Sequence, residues 1–225
     1  MGKGKLIVIE GACDGIGKST QYKMLCDRLI SEGNEVVSHH FPSYGTFQGK
    51  LMEEYLSGNL GDKKDISPYL DNSFFAMDRA VTWLTKLSEA YINGKTIILD
   101  RYTTSSALYQ STLIDDQEKR KEFIDYIIDY EFNKIGIKRP DIVIFLTADF
   151  NAVEEMINNR KQNDGVKHDI YETDMTFMKH VYDNSLSVAR YLNWNIIECS
   201  KDGKMLSIEE IHNKIYDVIK TNLNS

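Results

Sequence analysis

The sequence predicts an α/β protein whose five strands form a mostly parallel sheet with helices on both faces. Short apolar runs alternate with longer amphipathic patterns along the chain, as buried strands and surface helices do. Strands that alternate with helices are joined by right-handed crossovers, which make neighbouring strands parallel. No linker, repeat or low-complexity stretch divides the 225 residues, so we expect a single domain over residues 1–225.

The bounds of the predicted elements follow from the apolar residues and the residues that interrupt them. Pro42 ends the second strand, Pro140 precedes the fourth, and Gly33 and Gly94 each end a helix. The predicted strands are residues 6–10, 35–41, 96–99, 141–146 and 194–199. The predicted helices are residues 18–32, 47–57, 68–93, 105–109, 116–133, 152–160, 172–192 and 208–221.

A glycine-rich stretch, residues 11–20, joins the first strand to the first helix. This order, with a lysine and a hydroxyl residue at the helix start, is typical of phosphate-binding loops and predicts a fold of the P-loop NTPase type. Lys18 is expected to reach the outer phosphates of ATP, and the Ser19 hydroxyl to hold Mg²⁺. The residues expected to bind ATP are Gly15, Gly17, Lys18, Ser19 and Thr20.

The spacing of this loop departs from the usual pattern. The first glycine would fall at Ala12, and the nearest glycine is Gly11. Either the loop holds one extra residue or Ala12 takes part in the turn.

Chemically useful residues also follow the second and third strands. Asp100 and Arg101 come after the third strand, and Phe41 and Pro42 close the second. Because the carboxyl ends of parallel strands meet at one edge of the sheet, we expect these residues and Asp14 of the loop to line one cleft. Asp100 is suited to positioning Mg²⁺, and the planar guanidinium of Arg101 to binding phosphate. A surface ion pair is the alternative interpretation.

Phe75 and Arg79 lie four residues apart on a predicted helix and so share one face. A ring and a guanidinium on one face suit a planar heterocycle, which stacks on the ring and accepts hydrogen bonds from the arginine. The alternative is a core phenylalanine beside an arginine whose charged end extends to solvent.

A polar segment at about residues 158–169 is predicted to be a lid over the phosphates. It contains Arg160, Lys161 and Lys167, whose charges would neutralise the phosphates when the lid closes. A solvated loop is the alternative.

The composition argues against several classes of protein. A net charge of −7 and a pI of about 5.3 do not favour general nucleic-acid or membrane binding. The three cysteines are far apart and form no zinc-binding pattern. With no secretory signal and no apolar run near ~18 residues, we expect a cytoplasmic protein.

Taken together, these residues resemble the thymidylate kinase family, whose members are P-loop enzymes that transfer phosphate from ATP to dTMP. The resemblance covers nearly the whole chain in the same order. The matching pieces are residues 10–21, Phe41-Pro42, Phe75 to Arg79, Asp100-Arg101-Tyr102, Ser105, Tyr109-Gln110, Pro140-Asp141 and residues 169–172.

The resemblance implies Mg²⁺ and ATP as cofactor and phosphoryl donor, dTMP as acceptor, and a homodimer. Phe41, Pro42 and Ser105 belong to the implied dTMP site. The remaining residues of that site have specific implied roles: Asp14 at the sugar 3′-hydroxyl, Phe75 stacked on thymine, Arg79 on the base, Arg101 on the acceptor phosphate, Tyr109 beside the sugar 2′ position and Tyr171 beside the nucleotide.

Two features depart from the family pattern: the residue two positions after Phe-Pro and the spacing of the phosphate loop before Asp14. Many members have a phosphate-binding arginine two positions after Phe-Pro, where this chain has Tyr44. The family's catalytic arginine lies either directly after the loop acid or in the lid. Because Gly15 follows Asp14, the resemblance points to the lid, with Arg160 as the first candidate. A kinase for another nucleoside monophosphate or a nucleoside, and a nucleotide-binding regulator without turnover, remain alternatives.

Overall fold

A five-stranded parallel sheet forms the centre of the protein, as the sequence predicts. A computed structural model describes residues 4–13, 15–61, 65–150, 152–153 and 175–223. The strands lie in the order β2-β3-β1-β4-β5, and every neighbouring pair is parallel. Their bounds are β1 Lys5–Gly11, β2 Val36–His40, β3 Thr96–Asp100, β4 Ile142–Thr147 and β5 Asn195–Glu198.

Helices connect the strands and cover both faces of the sheet. Their bounds are α1 Lys18–Ser31, α2 Gly49–Leu56, α3 Pro68–Thr82, α4 Ser88–Ile92, α5 Thr103–Thr112, α6 Gln117–Ile128, α7 Met175–Tyr191 and α8 Ile208–Leu223. Within the described ranges, no helix has the length and apolar character needed to cross a membrane.

The structure differs from the predicted elements in three places. The helix predicted over residues 68–93 is divided by a π-helical segment, Trp83–Leu87, and a second one, Asp129–Ile135, follows α6. α5 is longer than the predicted 105–109 because buried Ser and Thr side chains extend its apolar pattern. In addition to the predicted elements, two short antiparallel strands, β6 Ser200–Lys201 and β7 Lys204–Met205, lie between β5 and α8.

The core lies in two layers because strand side chains alternate between the faces of the sheet. On β1, Ile7 and Ile9 face the layer that contains α1, α5, α7 and α8. Leu6 and Val8 face the opposite layer, which contains Leu87 at the end of the first π-helical segment. All four β1 side chains are fully buried, so β1 is fixed on both faces and holds the loop that follows it.

Two helix starts show how the sequence fixes these elements locally. Ser67 accepts a hydrogen bond from the Leu70 N–H and stands before Pro68, so α3 begins there. Ser207 and Glu210 accept hydrogen bonds from each other's backbone N–H groups before α8.

Candidate active site

The carboxyl ends of β1, β2 and β3 lie side by side and form the base of the candidate active site. β3 lies between β2 and β1, and Asp100 is in register with both Ile9 and His40. Beyond the strands, the Phe41 N–H donates to the Asp100 carbonyl at 3.0 Å, and the Arg101 N–H donates to the Ile9 carbonyl at 3.2 Å. The residues that follow these strands are therefore held together by backbone hydrogen bonds.

The glycine-rich loop runs from the end of β1 to the start of α1. Gly15 and Gly17 both have φ of +86°, a conformation that other residues rarely adopt. Gly17 precedes α1 and, as a glycine, has no side chain to cap the N–H groups of that first turn. These N–H groups and the helix dipole can therefore act on an anion.

The first part of this loop still belongs to the sheet, which accounts for its unusual spacing. The Ala12 N–H donates to the Leu146 carbonyl at 2.9 Å, so the pairing of β1 with β4 continues through Ala12. A Cβ on Gly11 would lie 2.9 Å from Cγ2 of the buried Ile16. Gly11 is thus required by the close packing of Ile16, and the turn of the loop begins after Ala12.

Lys18 and Asp100 form a buried ion pair at the centre of the site. Lys18 Nζ contacts Asp100 Oδ1, and His40 Nδ1 lies 3.1 Å from Asp100 Oδ2. Burial raises the pKa of Asp100, but the His40 hydrogen bond and the Lys18 charge outweigh it, so that pKa lies well below its usual range. Burial, followed by the charge of Arg101, lowers the pKa of Lys18.

Glu10 connects the phosphate loop to the start of α5. Its side chain is fully buried. Oε2 accepts hydrogen bonds from Thr104 Oγ1 at 2.9 Å and Ser105 Oγ at 2.5 Å, and Oε1 accepts one from the Gly11 N–H at 3.0 Å. Arg101 Nη1 lies 3.8 Å from Oε1. One carboxylate thus fixes Ser105 and Arg101 relative to the loop.

Arg101 has a backbone conformation that is unusual outside glycine. Its φ is +67°, immediately after β3. Such strained positions in non-glycine residues occur most often at functional sites. Nη1 lies 3.4 Å from the Tyr109 hydroxyl, and the guanidinium carbon is 5.5 Å from the centre of the Tyr109 ring. The structure therefore brings together two residues that the sequence assigns to the acceptor site.

Phe75 and Arg79 share one face of α3, but Arg79 is neither extended to solvent nor unpaired. It is 2% exposed and forms an ion pair with Glu131. Its Nη2 also donates to Ser106 Oγ at 2.8 Å. Phe75 is partly buried and meets the ring of Tyr55 edge-on, with 6.1 Å between ring centres. The alternative interpretation, an arginine whose charged end extends to solvent, is thus wrong, because that end lies inside the protein.

The segment after β2 is attached to α3 next to Arg79. The Phe41–Pro42 peptide is cis. The Ser43 N–H donates to Asp78 Oδ2 at 2.8 Å. Tyr44 is 53% exposed, and its ring stacks on that of His40 with 6.3 Å between centres. An aromatic side chain therefore lies at the edge of the site, at the position where the family resemblance implies an arginine.

The family model for thymidylate kinase matches residues 9–215, nearly the whole chain and all of the site just described. The chain belongs to the thymidylate kinase family. The thymidylate kinase of Brachyspira hyodysenteriae is 34% identical over 221 residues, which cover 93% of this chain and 99% of that protein.

A eukaryotic relative and a solved structure agree with this assignment. The thymidylate kinase of Schizosaccharomyces pombe is 28% identical over 225 residues, covering 99% of this chain and 94% of the relative. The structure of thymidylate kinase from Candida albicans superposes with a TM-score of 0.71 at 27% identity and covers 99% of this chain and 93% of that one. The P-loop NTPase-type fold predicted from the sequence is therefore confirmed.

Some residues that the thymidylate kinase resemblance singles out lie outside the described residues. They are Asp14, Arg160, Lys161, Lys167 and Tyr171, together with the predicted lid at residues 158–169. The predicted helix over residues 152–160 is described only at its first two positions.

Four residues of the site were not assigned a role from the sequence. Glu10 could have been identified, because it is an acidic residue at the end of a buried strand. It also begins residues 10–21, the first piece that resembles the family. His40 is one of two adjacent histidines at the end of a strand and has no distinguishing pattern around it, and Ser106 is adjacent to the predicted Ser105. Glu131 is 52 positions from Arg79 and stands among other acidic residues, so no local pattern distinguishes it.

Proposed function

We propose that this chain transfers the γ-phosphoryl group of ATP to dTMP, forming dTDP and ADP for dTTP synthesis. The observation that carries the proposal is the buried Lys18–Asp100 pair beside Arg101, at adjoining strand ends in a chain of the thymidylate kinase family. Lys18 belongs to the donor loop and Arg101 to the segment after β3, so the two cations suit two phosphorylated substrates.

In this reaction an oxygen of the acceptor phosphate attacks the γ-phosphorus of ATP. The bond from that phosphorus to the bridging β–γ oxygen breaks, and ADP leaves with the bonding electrons. The acceptor phosphate is already anionic, so no general base is required. The protein contributes alignment and positive charge, which are the main sources of catalysis in phosphoryl transfer.

Lys18 has to exchange its partner when ATP binds. Its ammonium now contacts Asp100. A phosphate group, with more negative charge than one carboxylate, competes for Lys18. Asp100 keeps its contact with His40 Nδ1, 3.1 Å from Oδ2, after Lys18 moves. The resting ion pair therefore keeps both groups charged and inside the site before the substrates arrive.

The residues present fit Mg²⁺ bound together with nucleotide phosphates. Within the described ranges, no group of three or more His, Cys, Asp or Glu side chains could hold a metal ion. Mg²⁺ commonly takes one or two protein oxygens and completes its shell with phosphate and water. The Ser19 hydroxyl and the Asp100 carboxylate would supply those oxygens. The bound ion would neutralise phosphate charge.

The acceptor site is proposed from residues on three sides of the cleft. Phe75 would stack on the base, Arg79 would donate to it, and Tyr109 would lie beside the deoxyribose. Residues 158–169 are proposed as the lid, with Arg160 as its catalytic cation. The lid and the roles of Asp14 and Tyr171 rest on the family resemblance alone.

Tyr44 favours a second candidate, a kinase that also accepts other nucleoside monophosphates. It supplies no positive charge where many relatives have an arginine. Of its relatives, the Candida albicans thymidylate kinase is described as having broad substrate specificity. Weaker control of the acceptor phosphate is a physical reason for accepting other monophosphates.

A substrate panel tests these proposals. ADP formation is measured with Mg²⁺-ATP and dTMP, dUMP, dCMP, dGMP or thymidine, and nucleotide binding is measured by calorimetry in parallel. We expect turnover with dTMP at the highest kcat/KM. A higher kcat/KM for another monophosphate would favour the second candidate. Turnover of thymidine alone would indicate a nucleoside kinase, and binding without turnover a regulator.

We also propose a homodimer formed through α3 and the π-helical segment that follows it. Leu70 and Met77 on α3 and Leu84 on that segment are spaced seven residues apart, about two helical turns, and so lie towards one side of this helical stretch. They are 49%, 50% and 76% exposed. A row of exposed apolar side chains is typical of a surface that another protein covers.

A further inference from the structure

Arg79 and Glu131 form a two-pronged ion pair inside the protein. Arg79 Nε lies 2.6 Å from Glu131 Oε2, and Arg79 Nη2 lies 2.6 Å from Glu131 Oε1. The side chains are 2% and 0% exposed. Thr103 Oγ1 also donates to Oε2 at 2.8 Å. Two parallel hydrogen bonds fix the plane of a guanidinium as well as its position.

The other contacts of Arg79 leave donor capacity at one end of the guanidinium. The second N–H of Nη2 is directed to Ser106 Oγ at 2.8 Å. Within the described part of the chain, Nη1 contacts the Tyr102 carbonyl at 3.4 Å, which is longer than a good N–H···O hydrogen bond. That contact uses one of the two N–H groups on Nη1. A ligand that accepts from Arg79 would therefore meet Nη1.

The charge of Glu131 determines what kind of acceptor suits this end. A buried Arg–Glu pair carries no net charge, so Arg79 offers hydrogen bonds without the excess positive charge that a phosphate requires. Phosphates have cations elsewhere in the site, namely Lys18 and Arg101. An uncharged acceptor such as a ring carbonyl can be bound by Arg79 without burying an unbalanced charge.

We propose that Glu131 is a positioning residue for base recognition, which holds Arg79 so that Nη1 meets a carbonyl of the pyrimidine base. Glu131 itself touches no substrate and acts only through Arg79. The inference rests on the proposed dTMP kinase function and adds to it a residue that sets base choice. A cytosine amino group at the same place is a hydrogen-bond donor and would face the Nη1 donor of Arg79. dCMP is therefore disfavoured only while Arg79 is held in this position.

The primary test is Glu131→Gln, which keeps the size of the side chain and removes its charge. We expect the KM for dTMP to rise about tenfold, which is the loss of one well-placed hydrogen bond. The preference for dTMP over dCMP in kcat/KM should fall by a similar factor. The KM for ATP should stay unchanged, because among the described residues the side-chain partners of Glu131 are Arg79 and Thr103, neither of which belongs to the donor loop.

A second variant and a control separate positioning from stability. Thr103→Val removes only the hydroxyl that donates to Glu131, and we expect a smaller loss of preference in the same direction. If Glu131→Gln does not fold, Thr103→Val alone tests whether Glu131 positions Arg79. Asp141→Asn is the control, because Asp141 Oδ2 accepts from the Leu6 N–H at 2.8 Å at the other end of the sheet. It should lower the thermal midpoint without altering the preference.

A double-mutant cycle tests whether Glu131 acts through Arg79. In an Arg79→Met background, Glu131→Gln should leave the dTMP to dCMP preference unchanged, whereas the same substitution in the wild type reduces it. The proposal is overturned if Glu131→Gln and Thr103→Val lower stability but leave both the KM for dTMP and the preference at wild-type values. Absence of dTMP turnover by the wild-type protein would instead contradict the proposed function.

Discussion

His39 should make the protein less stable in mild acid, because its ring is held in the neutral form. Burial, followed by the charges of Lys86 and His40, lowers the pKa of His39 from 6.5 to about 4. Lys86 Nζ lies 3.1 Å from Nδ1, and Nε2 lies 2.8 Å from Ser43 Oγ. An ammonium only donates, so Nδ1 accepts and the proton lies on Nε2. A second proton would face the Lys86 charge.

The direction and size of the effect follow from proton binding. Between pH 6.5 and about 4 the unfolded chain protonates His39 and the folded protein does not, so the free energy of unfolding falls as the pH falls. Integrated from pH 7 to pH 4.5, the shift corresponds to about 2.4 kcal/mol for a fully shielded ring. Solvent screening of a half-buried ring reduces this to about 1 kcal/mol.

The assay is urea unfolding of the wild type and His39→Gln at pH 7 and pH 4.5. Between the two pH values, the free energy of unfolding should fall by about 1 kcal/mol more in the wild type than in His39→Gln, since glutamine binds no proton. His180→Gln, at an exposed position on α7, is the matched control and should lose as much as wild type. Equal losses in wild type and His39→Gln would refute the argument.

Two further predictions concern catalysis and assembly. Lys18→Met should lower kcat about 10²- to 10³-fold, which is the usual loss when one hydrogen-bond donor to the developing charge is removed. The control Lys23→Met, on the exposed side of α1, should leave kcat unchanged. Near-normal turnover of Lys18→Met would exclude Lys18 from the reaction. Met77→Glu should convert the dimer to a monomer in analytical ultracentrifugation, because it places a charge in the row of exposed apolar side chains. The control Ile208→Glu should leave the dimer intact. A monomeric wild type would contradict the proposed dimer.

Much of the fold could be predicted because the sheet leaves a local signal. β1 and β3 each have an apolar centre and are buried almost throughout, and each is followed by chemically distinctive residues. The spacing of apolar residues did not reveal the π-helical segments. A π-helical turn holds one extra residue, and the sequence before and after it keeps its apolar character. Trp83–Leu87 therefore looked like part of a continuous helix.

The candidate site could be predicted only where its residues are close in sequence or follow a strand end. Lys18 belongs to a compact loop motif and Asp100 ends β3, so each leaves a local signal, and the parallel sheet explains why they are adjacent. The partner of Arg79 could not be predicted, because Glu131 comes from a distant helical segment and its burial depends on packing. Sequence spacing identified the helix face on which Arg79 lies, but it did not show that Arg79 is buried in an ion pair.

The Glu10 carboxylate has a mechanical consequence. It is hydrogen bonded to the phosphate loop through Gly11 and to the start of α5 through Thr104 and Ser105. Separating the end of β1, where the loop starts, from α5 would expose a buried carboxylate and break several hydrogen bonds together. We therefore expect the start of the loop and the start of α5 to move together, with the hinge of any closure around the nucleotides elsewhere in the chain.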